Sequence, residues 1–241
     1  MPYHNETIDG VLLVDKATGM TSHDVVAIAR RALNIKKIGH CGTLDPLATG
    51  LLILTIGRGT KIQDLLMAED KEYTGTMRLG EITDSQDADG QIIESRPVPA
   101  LEAADIKIAF DKFHGDFYQT PPMVSAIKKD GVPLYKLARK GQEVVREPRF
   151  VHVYASEVLG VALPDIEFRV VCSKGFYVRT YAHDIGAELG CGAHLRSLRR
   201  TKSGRFNVDT AVPVADLKTL PREELVARIL SLPAVSRLRG A

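Results

Sequence analysis

The chain has 241 residues and a mass of 26.4 kDa, with 44% hydrophobic and 26% charged residues, an ordinary globular balance. That composition excludes wholesale disorder, a collagen-like repeat and a disulfide scaffold, and the length suits one large domain with a small appendage. The net charge is only +2, so a partner selected by charge must be met by local clusters.

Residues 10–15 (GVLLVD) form a short apolar run suited to a buried strand. Thr21-Ser22-His23-Asp24 supplies a capping-box start, and Val25, Ile28, Ala29 and Ala32 then share one helical face. Arg30 and Arg31 suit the C-terminal end of that helix. A loop rich in Gly, Thr and Pro fills 39–50, and residues 51–56 (LLILTI) make a second buried strand. A short helix is expected at 58–68 and a strand at 71–79, which is rich in Tyr and Thr and partly alternating. Residues 81–99 are acidic, hold Asp89-Gly90 and suit a hairpin-like excursion. Ile106, Ala109, Phe110 and Phe113 place a helix over 101–113. The segment 119–141 opens with Pro121-Pro122, passes Asp130-Gly131 and ends in a short helix at 133–140, so it is expected to be an exposed basic insertion. Strands are expected at 150–159, 166–172 and near 197–206, with a helix at 177–189 closed by Gly190 and short helices beyond 209. Several strands follow one another with no helix between. The expected class is therefore α+β, with a mixed, mostly antiparallel sheet.

Charge is unevenly placed. Arg30, Arg31, Lys36 and Lys37 form one basic cluster, and Arg196, Arg199, Arg200, Lys202 and Arg205 another. Between 120 and 150, seven basic residues face three acidic ones, whereas Asp84, Asp87, Asp89, Glu94, Glu102 and Asp105 make an acidic lobe. Basic clusters of this kind are what a nucleic acid would need, although solvated faces also explain charge runs. Cys41, Cys172 and Cys191 have no metal-type spacing, which suits a reduced, cytoplasmic protein. The longest charge-free run, 46–57, is too short for a membrane helix, which needs roughly 18 apolar residues, and no secretory signal is expected. No phosphate-loop motif occurs, and the seven histidines are scattered, so no cofactor or metal is expected.

The most unusual segment is 39–50, GHCGTLDPLATG. Turn chemistry explains much of it, because Asp-Pro starts turns and Gly adopts unusual backbone angles. Asp45 nevertheless lies on a loop beside a buried strand, which is how rigid scaffolds present functional groups. From the residues alone the result is a cofactor-free protein with a loop carboxylate and basic patches.

The same segment resembles the catalytic motif of the TruB family of bacterial tRNA pseudouridine synthases, which act at position 55 of the TΨC arm. Leu12-Leu13-Val14-Asp15-Lys16 with Gly19-Met20-Thr21-Ser22-His23-Asp24 resembles the family's first motif. Lys71-Glu72-Tyr73 through Leu79-Gly80 is similar to the segment carrying the active-site tyrosine. Gln119-Thr120-Pro121-Pro122, Ser125-Ala126, Lys128, Gly131 and Leu134-Tyr135 resemble an RNA-gripping thumb. Cys172 through Thr180 resembles the arginine motif, and Gly192-Ala193-His194-Leu195 with Leu198-Arg199-Arg200 the last motif. Ala17 stands where the family usually has Pro, and Cys41 where Thr is common. Cys41 is assigned a packing role.

The resemblance implies a pseudouridine synthase fold with a catalytic domain at 1–205, a thumb insertion at about 120–146 and a short extension at 206–241 with no full PUA-type domain. It implies Asp45 as catalytic carboxylate, Tyr73 stacked on the flipped base, and Arg179 paired with Asp45. His40 would help hold the target base out, and Lys16, Tyr177 and Leu198 would be pocket or support residues. Lys128, Lys136, Arg199 and Arg200 would track phosphates of the T-arm. The reaction is an isomerisation needing no cofactor or metal, and the implied protein is a monomer that needs no protein partner or membrane. The alternative is a non-catalytic tRNA-binding or tRNA-folding module of the same fold. A synthase guided by RNA within a multi-protein particle is a further rival.

Overall fold

The computed structural model describes residues 8–123, 128–129, 132–133 and 144–240. In chain order the strands are β1 (Gly10–Lys16), β2 (Ile38–Cys41), β3 (Thr49–Ile56), β4 (Lys71–Leu79), β5 (Glu81–Thr83), β6 (Ile92–Ser95), β7 (Gly115–Gln119), β8 (Lys128–Lys129), β9 (Val132–Pro133), β10 (Arg149–Ala162), β11 (Asp165–Cys172), β12 (Ala193–Ser203), β13 (Phe206–Asn207) and β14 (Val212–Pro213). The described α-helices are α1 (Ser22–Leu33), α2 (Gln63–Met67), α3 (Ala103–Asp111), α4 (Val178–Glu188), α5 (Arg222–Ala227) and α6 (Leu232–Arg239). The class is α+β, as expected: antiparallel pairs dominate among those described, and β1–β14 and β3–β12 are parallel. The chain divides into two compact units, Met1–Glu72 with Arg199–Ala241, and Tyr73–Leu198.

In the first unit β1 and β3 pair antiparallel along their whole length, from Gly10 with Ile56 to Lys16 with Gly50. Both strands are almost wholly buried, which explains why they appear as continuous apolar runs. Helix α1 starts as its sequence predicts: the Thr21 side chain accepts from the Asp24 amide, and the Asp24 carboxylate accepts from the Thr21 amide. The expected helix at 58–68 begins instead as a 3-10 turn, Gly57–Ile62, before α2. The stretch beyond 205 is integral to this unit. Val11 and Leu230 exchange backbone hydrogen bonds of 2.9 and 2.8 Å, and Leu217, Leu225 and Val235 are buried.

In the second unit the last part of β4 is followed by β11, β10 and β7 in sheet order. An aromatic cluster forms its core, with Phe110, Phe113, Phe168 and Phe176 all ringed around Tyr181 at centroid distances of 5.3 to 6.2 Å. Burial pushes the Tyr181 hydroxyl up to about 12, and it shares a 2.7 Å hydrogen bond with Ser156. This packing fixes α4, the helix that carries Arg179. The acidic excursion is the β5–β6 hairpin plus a loop at 84–91, held by Ala88 N–H to Leu195 C=O and Leu195 N–H to Gln86 C=O. Strands β2 and β7 are additional to those expected from sequence, and β12 starts at Ala193, four residues before the expected 197.

Candidate active site

In the first unit Asp45 lies half-buried on the loop at 42–48 between β2 and β3. The loop's ends are set by glycines. Gly42 has φ +80°, and Gly50 has φ +97° with the Arg200 backbone so near that a Cβ would meet its carbonyl oxygen at 2.3 Å. Leu44 and Ala48 anchor the loop in the core. The loop backbone is then tied to the first motif. Pro46 C=O accepts from the Gly19 amide at 2.9 Å and from Lys16 Nζ at 3.3 Å, and Leu47 C=O accepts from the Thr18 hydroxyl at 3.2 Å. The Leu44 amide donates to Ser22 Oγ at 2.9 Å, and Ser22 Oγ donates to Leu44 C=O at 3.1 Å. The first motif is thus the cradle of the carboxylate loop.

Lys16 is fully buried, and its ammonium donates to the carbonyls of Ala17, Met20 and Pro46 at 3.0, 2.8 and 3.3 Å. A buried cation without such partners would be strongly destabilising, by several kcal/mol. These contacts tie Lys16 to the backbone of the first motif and of the Asp45 loop.

Arg199 and Arg200 are split by the alternation of β12. Arg199 points outward, with its guanidinium on Asp15 at 3.0 and 2.7 Å. Arg200 is 1% exposed and donates to Leu51 C=O at 2.7 Å and Gly42 C=O at 3.2 Å. The expectation that both track phosphates is corrected for Arg200: its polar head is spent inside the protein, bracing the Asp45 loop. Arg199→Gln is expected to flatten the log–log slope of tRNA affinity against salt by about 0.7–0.9 for each phosphate left without its cation. Arg200→Gln is expected instead to lower the melting temperature, since it strands buried carbonyls. Salt titration and thermal melting of both variants check this, and an unchanged slope for Arg199→Gln places the RNA elsewhere.

His40, on β2, stands edge-on to His23 with ring centroids 5.1 Å apart, and its buried Nδ1 has no hydrogen-bond partner among the described residues. Burial, then the charges of His23 and Arg200, push its pKa down to about 4, with the Gly42 backbone pulling the other way. His40 is therefore neutral at physiological pH. The fold favours the neutral ring, so this contribution to stability is complete above about 6.5 and is lost as pH falls toward 4. His40→Gln is expected to remove about 2 kcal/mol of the stability change across that window, allowing for water at the ring. Urea unfolding at successive pH values reads it, and an unaltered pH profile contradicts it. Cys41 sits in the core beside Val11 and Ile53, its thiol pushed up to about 12 by burial, in keeping with a packing role.

In the second unit Tyr73 is 9% exposed on β4. Gly75, two residues on and on the same face, leaves room for Phe168 and Leu198, which a Cβ there would meet at 3.1 and 3.4 Å. Leu198 is buried. Tyr177 immediately precedes α4, and its backbone amide and carbonyl are both held by the Gln119 side chain, at 2.8 and 3.1 Å. Arg179 is 3% exposed: Nη1 donates to Ser85 C=O at 2.8 Å, and Nε lies 3.6 Å from Asp87 Oδ2. Asp87 is itself buried and accepts from Ser85 Oγ at 2.6 Å and the Asp89 amide at 3.2 Å. Thr180 adds a 2.9 Å hydrogen bond to the Gln86 side chain. The acidic lobe therefore contains a buried partner of Arg179, although its composition alone reads as a solvated excursion. The Ser85-x-Asp87-x-Asp89 spacing was the available signal, since Asp and Ser at such spacing cap their own loop. Lys128 lies on β8, with its side chain outside the described residues, as is Lys136 altogether.

Comparison with known proteins identifies the family. Residues 30–178 match the model of the TruB family pseudouridylate synthase N-terminal domain, and residues 179–233 that of the tRNA pseudouridylate synthase B C-terminal domain. A protein of Opitutus terrae named tRNA pseudouridine synthase B is 57% identical over 92% of this chain and 92% of its own length. One of the same name from Geobacter sulfurreducens is 48% identical over 94% of this chain and 75% of its own. Among solved structures, a chain in a Cbf5-Nop10-Gar1 complex superposes with a TM-score of 0.75 at 30% identity, over 99% of this chain and 64% of that one. A chain of an H/ACA RNP bound to a substrate RNA containing 2'-deoxyuridine gives 0.66 at 30% identity, over 90% of this chain and 54% of that one. This chain thus spans somewhat over half of those solved chains. With a family model matching more than half its length and a relative 57% identical along nearly all of it, the chain belongs to the TruB family of pseudouridylate synthases.

Proposed function

We propose that the chain isomerises the uridine at position 55 in the T loop of tRNA to pseudouridine, with Asp45 as its catalytic carboxylate. The chain is a tRNA pseudouridine synthase, an isomerase. The observation that carries the assignment of Asp45 is the clamping of its loop: the peptides on either side of this one carboxylate are tied to residues of another motif.

In the proposed reaction the N1–C1′ bond breaks, the uracil turns, and a C5–C1′ bond forms. The C5 hydrogen leaves as a proton and N1 gains one, so substrate and product are isomers and no electrons are exchanged. Asp45 attacks or stabilises the ribosyl–uracil system. Tyr73 stacks on the flipped base and Arg179 is the supporting cation. His40 fills the space the base vacates, and its neutral ring suits contact with an uncharged base. Removing a base from its stack costs a few kcal/mol, which such contacts offset. Tyr177 and Leu198 line the site, Lys16 and Arg200 hold the loop, and Arg199 with Lys128 and Lys136 meets phosphates. RNA is then recognised mainly by shape and by splayed loop bases. In this proposal residues 1–205 carry catalysis, with a thumb at about 120–146 and a short stretch after 205. A cytoplasmic monomer acting without a protein partner completes the proposal.

The relatives named tRNA pseudouridine synthase B are up to 57% identical, against 30% for the chains solved in an H/ACA RNP and in a Cbf5-Nop10-Gar1 complex, which favours bare tRNA over a guided target. The test is pseudouridine mapping, by carbodiimide adducts, on a T-arm stem-loop incubated with the purified chain alone. A single adduct at position 55, absent when that uridine is replaced by cytidine, supports the proposal. An adduct elsewhere, or none despite tight binding, overturns it.

A further inference from the structure

We propose that Ser22 is a positioning residue for Asp45, fixing the direction in which the carboxylate leaves its loop. The inference rests on Asp45 being the catalytic group. Ser22 is the first residue of α1 and is 0% exposed. A serine at a helix start ordinarily caps it, but that duty is already filled: Thr21 is the cap, its side chain accepting from the Asp24 amide in a reciprocal box. The Ser22 hydroxyl faces elsewhere, onto residue 44. It accepts from the Leu44 amide at 2.9 Å and donates to the Leu44 carbonyl at 3.1 Å, using both kinds of hydrogen bond a hydroxyl has.

Those two bonds act on different peptide units. The Leu44 amide belongs to the peptide before Leu44, and the Leu44 carbonyl to the peptide joining Leu44 to Asp45. One side chain thus sets the plane from which the Asp45 backbone departs. On the other side, Pro46 restricts the Asp45 backbone to extended conformations, and the Pro46 carbonyl is held by Gly19 and Lys16. Asp45 is left with few backbone choices. Loss of the Ser22 hydroxyl frees one of its two flanks and leaves the Leu44 amide and carbonyl buried without that partner. A displacement of about 1 Å in a reacting group lowers rate about 10²-fold, even where the rest of the substrate is held as before.

The experiment is single-turnover kinetics on a T-arm stem-loop, with dissociation constants measured on the same RNA. Ser22→Ala is expected to slow the chemical step about 10- to 100-fold and change affinity less than about twofold. Ser22→Thr, which keeps the hydroxyl, is expected to recover most of the rate. Should Ser22→Ala not fold, Ser22→Cys offers a near-isosteric side chain with a weaker hydrogen-bonding group, and the same slowing is expected in smaller measure. An unchanged rate in the variant that folds overturns the proposal. So does a parallel loss of affinity and rate, or a Thr variant as slow as Ala, since each marks a packing role. Asp45→Asn measured alongside separates the two levels: if it keeps turnover, the reading of Asp45 fails first. If it is inactive while Ser22→Ala is as fast as the parent, only the Ser22 proposal fails.

Discussion

Asp45→Asn is expected to lower the single-turnover rate by about 10⁴-fold or more while leaving tRNA affinity within about threefold. The reason is geometric. Asparagine is nearly isosteric with aspartate, and the contacts that shape the loop are backbone contacts. The Asp45 carbonyl still accepts from the Ala48 amide at 3.1 Å, Leu44 is still held by Ser22, and Pro46 by Gly19 and Lys16. The substitution removes the negative charge and one carboxylate oxygen. The variant should therefore bind RNA and fold like the parent but fail at the chemical step. Filter binding and rapid quench on one RNA check both halves. Retained turnover would return Asp45 to the role of a turn residue.

Arg179→Lys is expected to slow the reaction at least about 10²-fold, and Arg179→Ala to lose about 3 kcal/mol of stability in addition. An exposed helix-face cation is worth little to folding, but Arg179 is buried. One guanidinium spans Ser85 C=O through Nη1 and the Asp87 carboxylate through Nε, a fixed planar fork that the shorter, point-like lysine ammonium does not reproduce. Removing it leaves Asp87 buried with its charge uncompensated by Arg179. For a chain of this size 3 kcal/mol corresponds to a fall of about 6–12 °C in melting temperature. Thermal melting with and without the substitution reads the stability arm, and single-turnover kinetics the other. A lysine variant with parental rate, or an alanine variant with parental melting, contradicts the role given to this pair.

What was legible in the sequence followed from local physics. Helix α1 could be placed because its capping box and its 3.6-residue apolar period agree. Strands β1 and β3 could be placed because strands buried on both faces are continuous apolar runs. β2 was hidden: Ile38-Gly39-His40-Cys41 has no strand pattern of its own and is held by its partner β3. β7, Gly115–Gln119, has the same weakness and pairs with β10. Asp45 stood out through its motif and its loop. Ser22 and Asp87 did not, because a serine at a helix start and an aspartate in an acidic loop have ordinary local explanations. Their partners, Leu44 and Arg179, are 22 and 92 residues away, by simple difference of position. The split between Arg199 and Arg200 was available in principle, because neighbouring residues on a strand face opposite ways.

The central claim, that this chain isomerises a T-loop uridine through Asp45, meets its most direct test in tritium release from tRNA labelled at uridine C5. Forming the C5–C1′ bond must expel that hydrogen. The purified chain is expected to release a stoichiometric amount per tRNA, with release abolished both by Asp45→Asn and by replacing the position 55 uridine. Tight tRNA binding with no release, or release that survives either change, would contradict the claim.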